Sequence, residues 1–157
     1  MIQNLIIIKN GATIFNENFG ECHKLNSNPM LLSAFFDALL SFAEEFEQGT
    51  LEQLKFKKSN INYLKFDDLL YIAITDITDE TNVIKSKLNK VAELFTEKYE
   101  INLLNHSGEF TQFRNFSDIL IELGIAQRNC GEHSDCSECS NRITTSPTFT
   151  EIIDSKK

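Results

Sequence analysis

The pattern of apolar and polar positions opens with two extended segments. Ile2–Lys9 is rich in β-branched residues, and Ala12–Asn18 resumes an alternating pattern through Ile14 toward Phe19. Between them stands Asn10-Gly11, two residues that tolerate the positive φ angles of a type I′ hairpin turn. The chain therefore opens with a predicted β-hairpin, followed by a polar linker at Gly20–Ser27. From Asn28 to Gly49 the period becomes that of a helix with both ends marked. Asn28 is suited to cap the first turn, Pro29 to fill the first helical position, and Gly49 to end the helix in the left-handed conformation. Leu31, Leu32, Phe35, Phe36, Leu39, Leu40, Phe42, Ala43 and Phe46 recur at three- and four-residue spacing. A stripe that wide is expected to lie across a sheet.

Three strand-like segments follow. Leu51–Lys57 carries Leu54 and Phe56 on one face, Lys58-Ser59-Asn60 is turn-like, and Ile61, Tyr63 and Lys65 alternate with polar neighbours. Asp67-Asp68 marks a second tight turn before the nearly all-apolar run Leu69–Thr75. Continuous apolar runs imply burial on both faces, so Leu5–Ile8 and Leu69–Ile74 are expected to be the central, adjacent strands. The half-polar strands should flank them as edges. A second helix is expected from a cap at Thr78 or Asp79 through about Tyr99, with Ile84, Leu88, Val91, Leu94 and Phe95 buried. A third, weaker helical pattern spans Gly108 to Gly124 through Phe113, Phe116, Ile119, Leu120 and Leu123, with Ser117 a candidate cap for its second half. From Gln127 onward periodicity stops. The expected fold is an α/β (α+β) sandwich: a five-stranded, mostly antiparallel sheet in the order β-β-α-β-β-β-α-α. The long helix should cover one face and the C-terminal helices the other. Residues 1–126 would form the domain and 127–157 a polar tail.

This order, with Asn10-Gly11 closing the first hairpin and a Phe-rich helix after Pro29, resembles the longin domain over about residues 1–125. Leu5–Ile8, Asn10-Gly11 and Ile14-Phe15 are similar to the family's opening strand and turn. Leu31–Phe46 resembles the following helix, as seen in adaptor small subunits. Phe66–Asp76 resembles its third meander strand, and Phe95–Tyr99 an F-x-x-x-Y closing the second helix. These are packing positions, not catalytic ones. The resemblance implies a non-enzymatic binding role: docking or regulating a small GTPase, pairing with another longin or roadblock subunit in trafficking-like machinery, or serving as a subunit of a coat or tethering complex. It also implies a homo- or heterodimer. The related roadblock domain would begin with a helix, and this chain begins with a strand. The high Ile, Asn and Lys usage points to an AT-rich genome, which fits archaea carrying eukaryote-like trafficking genes as well as many eukaryotes.

Composition sharpens this picture at its edges. The 157 residues suffice for one domain with a real core, and Phe stands in for absent Trp. Net charge is −8, nearly all of it in the first 126 residues, which disfavours binding driven by nucleic-acid phosphates or anionic lipid. Basic and aromatic residues interleave around Lys55–Lys65, but in acidic surroundings. Met1 is followed by only four strongly apolar residues in a row, and no run approaches a membrane span of roughly 20 residues. Four cysteines, three of them between 130 and 139, favour cytosolic thiol or metal use over a disulfide scaffold. A cytoplasmic protein is expected, reaching membranes through partners rather than by insertion.

The sharpest local feature is Cys130-Gly-Glu-His133-Ser-Asp-Cys136-Ser-Glu-Cys139. A Cys₃His set at three-residue spacing suits tetrahedral zinc, and its small neighbours let the loop wrap tightly. Structural zinc sites usually pair two separated chelating loops, however, and consecutive two-residue gaps also suit an iron–sulfur loop. Glu132, Asp135 and Glu138 add negative charge to an already anionic site. Zinc, an iron–sulfur cluster, and incidental thiols on a mobile tail all stay open, and with the first two a metal-binding redox sensor or enzyme. Cys22-His23 and His106 lie in loop-like contexts. Asp76, Asp79 and Glu80 crowd one strand-to-helix junction, where capping explains them as well as acid–base chemistry or Mg²⁺. Glu44, Glu45 and Glu47 sit where a helix dipole disfavours negative charge. Asn115-Phe116-Ser117 matches a glycosylation sequon. Glycine-rich phosphate loops, a G-x-S-x-G elbow and an H-E-x-x-H helix are absent, so nucleotide hydrolysis and the common hydrolase mechanisms have no support.

Overall fold

The computed structural model describes residues 1–20, 28–45, 51–104 and 111–128. Strands β1 (Ile2–Lys9) and β2 (Ala12–Asn18) form the expected hairpin. Asn10 (φ 48°) and Gly11 (φ 76°) both adopt the left-handed conformation that its turn requires. Helix α1 (Pro29–Glu45) follows, then β3 (Gln53–Lys55), β4 (Ser59–Phe66), β5 (Leu69–Asp76), α2 (Thr81–Leu104), a 3₁₀ turn at Thr111–Phe113 and α3 (Phe116–Glu122). All strand pairings are antiparallel, and the sheet runs β2-β1-β5-β4-β3. It is an α+β fold with an open sheet.

β1 and β5 are neighbours in the middle, in a register that sets Leu5 against Ala73 and Ile7 against Tyr71. Period-two alternation divides their side chains between two buried clusters. Leu5, Ile7, Tyr71 and Ala73 join Ile84, Leu88, Val91, Phe95 and Tyr99 of α2 and Phe116 and Leu120 of α3. Ile6, Ile8, Leu70, Ile72 and Ile74 join Leu32, Phe36 and Leu40 of α1. Phe95 is the hub of the first cluster. Its ring centroid lies 4.9 Å from Phe116 and 6.2 Å from Tyr71 in the edge-to-face geometry that aromatic quadrupoles prefer, and 5.0 Å from Tyr99 and 5.3 Å from Phe113 in tilted pairs.

Several expectations need correction. β4 is not an edge, because the three-residue β3 pairs outside it, Leu54 facing Ile61. Asn60 and Asn62 of β4 are buried and hydrogen-bonded. Asn62 Nδ2 donates to Thr75 Oγ1 at 3.0 Å, and Asn62 Oδ1 accepts from Gln53 Nε2 at 2.7 Å. Ser59 and Asn60 belong to β4, and the bend falls at Lys57-Lys58. Phe56 lies outside β3 and is exposed. α2 starts later than expected because Asp79 turns back. Its carboxylate accepts the Asp76 N–H at 3.0 Å and pairs with the Met1 ammonium. The first helical bond then runs from Ile84 N–H to the Glu80 carbonyl. Tyr99 (φ −116°, ψ 17°) interrupts helical geometry near the expected end, and the helix resumes to Leu104. Asn115, not Ser117, precedes α3, and the Ser117 hydroxyl donates to the Arg114 carbonyl. Leu123 is exposed just past that helix.

α3 ends on left-handed Gly124 (φ 66°). Gly124 N–H donates to the Ile121 carbonyl and Ile125 N–H to the Leu120 carbonyl, a Schellman pair that turns the chain back. Ile125 and Ala126 are buried, and Ala126 makes a parallel bridge to Ile2. Of the expected tail, residues 129–157 lie outside the described residues, as does the end of the long helix expected at Gly49.

Two outcomes follow from this packing. Phe36 is buried and Phe35 is half exposed, so Phe36→Ala should cost about 3–5 kcal/mol and Phe35→Ala about 0.5 kcal/mol, read by chemical denaturation. Burial pushes the Tyr71 hydroxyl from its ordinary 10 up to about 12, the Thr96 hydroxyl partly opposing. Unfolded tyrosine ionises near pH 10 while folded Tyr71 keeps its proton, so stability present below pH 10 is lost between about 10 and 12. A Tm series across that range should fall less steeply in Tyr71→Phe.

Candidate functional site

α1 is apolar on two sides. Asn28 positions the helix as expected: its side-chain oxygen accepts the Met30 N–H at 2.9 Å, and its carbonyl accepts the Leu32 N–H at 3.1 Å. Leu32, Phe36 and Leu40, one turn apart, are buried, and the Phe36 ring meets Tyr63 edge-on at 5.8 Å. At about 100° per residue, Leu31, Ala34, Phe35, Ala38 and Phe42 fall on a second stripe about 100° wide. Every one of these is exposed. Leu31 is 69% exposed, Phe35 52%, Phe42 59% and the preceding Met30 78%. The single wide stripe expected from the sequence is thus two stripes, one in the core and one facing solvent. Leu31, Phe35 and Phe42 belong to the second, because a helix lying on a sheet can touch it with only one side.

Between the two stripes runs a polar edge. Asp37, Ser41 and Glu44 line a pocket of about 330 Å³ shared with Asn10 and Gly11 of the hairpin, Lys65 of β4 and Asp68 of the β4–β5 turn. A Cβ at Gly11 would stand 2.9 Å from Asp37 Oδ2, so that position serves both the turn and the approach of α1. Lys65 pairs with Glu44 at 2.8 Å, both about half exposed, an ion pair worth little in water. Lys9 pairs with Asp68 at 3.1 Å and donates to the Leu103 carbonyl at 2.8 Å, near the C-terminal end of α2.

The second candidate surface is the outer edge of β2, which no strand covers among the described residues. Glu17 lies on it, its carboxyl pushed above the ordinary range chiefly by burial. Arg128 opposes that shift and Asp118 adds to it. Arg128 and Asp118 pair at 3.1 Å, which places the end of the described chain beside this half of β2.

The chemistry-bearing residues singled out in the sequence are mostly not placed. Cys130, His133, Cys136 and Cys139 lie outside the described residues, as do Cys22, His23 and His106. No three metal-ligating side chains converge among the described residues. Asp76 and Asp79 are engaged structurally: Asp76 accepts from Gln3 Nε2 at 3.0 Å, and Asp79 holds the turn before α2. Glu44 is paired with Lys65, and Glu45 is exposed. Phe116 and Ser117 of the sequon are buried. No described helix is long and apolar enough to cross a membrane. Compared with models of known protein families and with curated proteins, the chain matches none.

The outer stripe of α1 and the pocket beside it were not singled out in the sequence, although a signal existed. Nine apolar residues spread over about half the helix circumference exceed what one sheet contact can bury. The first cluster of the core closes on Ile125 and Ala126. Cys136→Ser together with Cys139→Ser should therefore leave cooperative unfolding and Tm unchanged within about 2 °C by circular dichroism. Loss of the fold would make the cluster part of the core.

Proposed function

We propose that the chain is a non-enzymatic interaction module of the longin type, which binds or regulates a small GTPase or pairs with a longin or roadblock subunit. The single observation that carries this reading is the outer stripe of α1. Met30, Leu31 and Phe35 standing in water are a steady liability unless a partner covers them, and contiguous exposed apolar surface rimmed by polar groups is a docking signature. The order of two strands, a helix, three strands and further helices supports the reading, since it is the order the longin resemblance implies. The partition of helix side chains between the two clusters supports the expected arrangement of α1 on one face and α2 with α3 on the other. The acidic groups beside the stripe suit a partner with basic residues at its rim.

The Cys130, His133, Cys136 and Cys139 set carries a second reading, a zinc-binding appendage, favoured by its ligand types and spacing alone. One bound zinc per chain, lost in Cys136→Ser, is its expected signature by metal analysis. An open coordination position would make it a sensor or catalyst, and a closed one structural.

The primary reading is tested by binding to a panel of small GTPases from the same genome, each loaded with GDP or a GTP analogue. Nucleotide-dependent binding to one or a few is expected, weakened at least about tenfold by Phe35→Asp with Tm preserved. Silence across the panel would overturn the GTPase role and leave a subunit of a coat or tethering complex.

A further inference from the structure

One end of the sheet carries positive charge in an otherwise acidic chain. The bend between β3 and β4 falls at Lys57-Lys58 and is closed by the Phe56 N–H, which donates to the Ser59 carbonyl at 2.8 Å. Lys55, Phe56, Lys57 and Lys58 are all exposed, Phe56 by 52%. The sheet register carries the feature one strand further. Ser59 stands opposite Asp76, so Ile77, itself 55% exposed, leaves β5 on the side where Lys58 enters β4. Two apolar side chains therefore stand in water among three lysines. Lys9, Lys65, Lys85 and Lys90 each pair with a carboxylate. Lys55, Lys57 and Lys58 pair with none among the described residues. The carboxylates at this end are engaged: Glu52 with Lys85, Asp76 with Gln3 and Asp79 with the Met1 ammonium. Glu80 is the exposed exception.

We propose that this hairpin tip docks on an anionic lipid bilayer, Phe56 and Ile77 entering the headgroup layer while Lys55, Lys57 and Lys58 meet its negative charge. Apolar side chains flanked by lysine suit that interface, which is apolar below and anionic above. Each lysine held near such a surface contributes on the order of fivefold in partitioning. A protein partner of fixed shape would need a pocket for Phe56 and would immobilise three flexible lysines, whereas a fluid headgroup layer demands neither. A single-stranded nucleic acid wants a row of aromatic platforms, and Ile77 offers a base no ring to stack on. The net charge of −8 does not cancel the attraction, because exposed charges beyond about 8 Å are largely screened at physiological salt. It fixes the approach instead, since the acidic remainder is repelled and the tip is drawn in. The contact uses none of the outer stripe of α1 and is independent of what that stripe binds. It is weaker than the roughly 10⁴ M⁻¹ of one myristoyl chain, which makes it a second signal beside a membrane-bound partner and not an anchor.

The experiment is co-sedimentation of the full chain with vesicles of phosphatidylcholine alone or with about a third phosphatidylserine, with Tm of each variant as the fold control. Wild type should bind the phosphatidylserine vesicles and leave the neutral ones, and about 0.5 M salt should release it. Lys57→Glu together with Lys58→Glu should weaken binding at least about tenfold at unchanged Tm. Lys90→Glu, a charge reversal of the same kind on α2, should leave binding within about twofold. Glu80→Gln should strengthen it by about twofold. The chain has no Trp, so Phe56→Trp supplies a single probe, whose emission should shift to the blue on phosphatidylserine vesicles. Glycerophosphoserine, the free headgroup, should not displace the protein.

Equal partitioning onto neutral and phosphatidylserine vesicles overturns the proposal. So does binding that survives the double charge reversal, or that falls as far with Lys90→Glu. Displacement by glycerophosphoserine would make the tip a site for free phosphate compounds and sink the bilayer. Retardation of single-stranded RNA by a chain that ignores both kinds of vesicle would hand the tip to nucleic acid.

Discussion

The ladder between β1 and β5 is the constraint from which the architecture follows. Each strand is apolar on both faces, so the pair is stable only when both faces are covered. One helix cannot do that. α1, inserted between β2 and β3, supplies Leu32, Phe36 and Leu40 to one cluster, while α2 and α3 supply the Phe95-centred cluster to the other. The remaining strands extend the sheet outward, β2 on one side and β4 with β3 on the other. Where Asn62, Thr75 and Gln53 enter the sheet, they satisfy one another.

Much of this was legible in the sequence because the signals were local and strong. Asn10-Gly11 leaves little choice of turn, and Asn28-Pro29 little choice of helix start. The apolar runs of β1 and β5 can only be buried. Boundaries were less legible where a side chain bonds backward: Asp79 reads as a helix cap but spends its carboxylate on Asp76 and Met1, displacing the start of α2. Asn60 reads as part of a turn and Asn62 as a polar neighbour on an edge strand, since composition alone cannot reveal that adjoining strands supply their hydrogen-bond partners.

The candidate site was harder to see for a different reason. Phe35 and Phe36 are adjacent and chemically identical, and only the angle at which α1 meets the sheet decides that one is core and the other surface. The period of the stripe identifies a helix; its excess width is the mark of a second contact. The cysteine and histidine cluster is the converse case, conspicuous in sequence and resting on spacing alone. The absence of a matching family or curated protein leaves the longin reading on the arrangement of elements and on this one surface.

The bridge between Ile2 and Ala126 has a consequence in time. Residues near the two ends of the domain close the same cluster, with Ile125 and Ala126 packed beside Ile2. While the chain is being made, β1 emerges early and waits for β5 and then for the turn at Gly124. Until residue 126 clears the ribosome, its apolar side chains lack their final cover. Such long-range closure slows folding relative to locally connected folds and lengthens the interval in which a chaperone has something to hold.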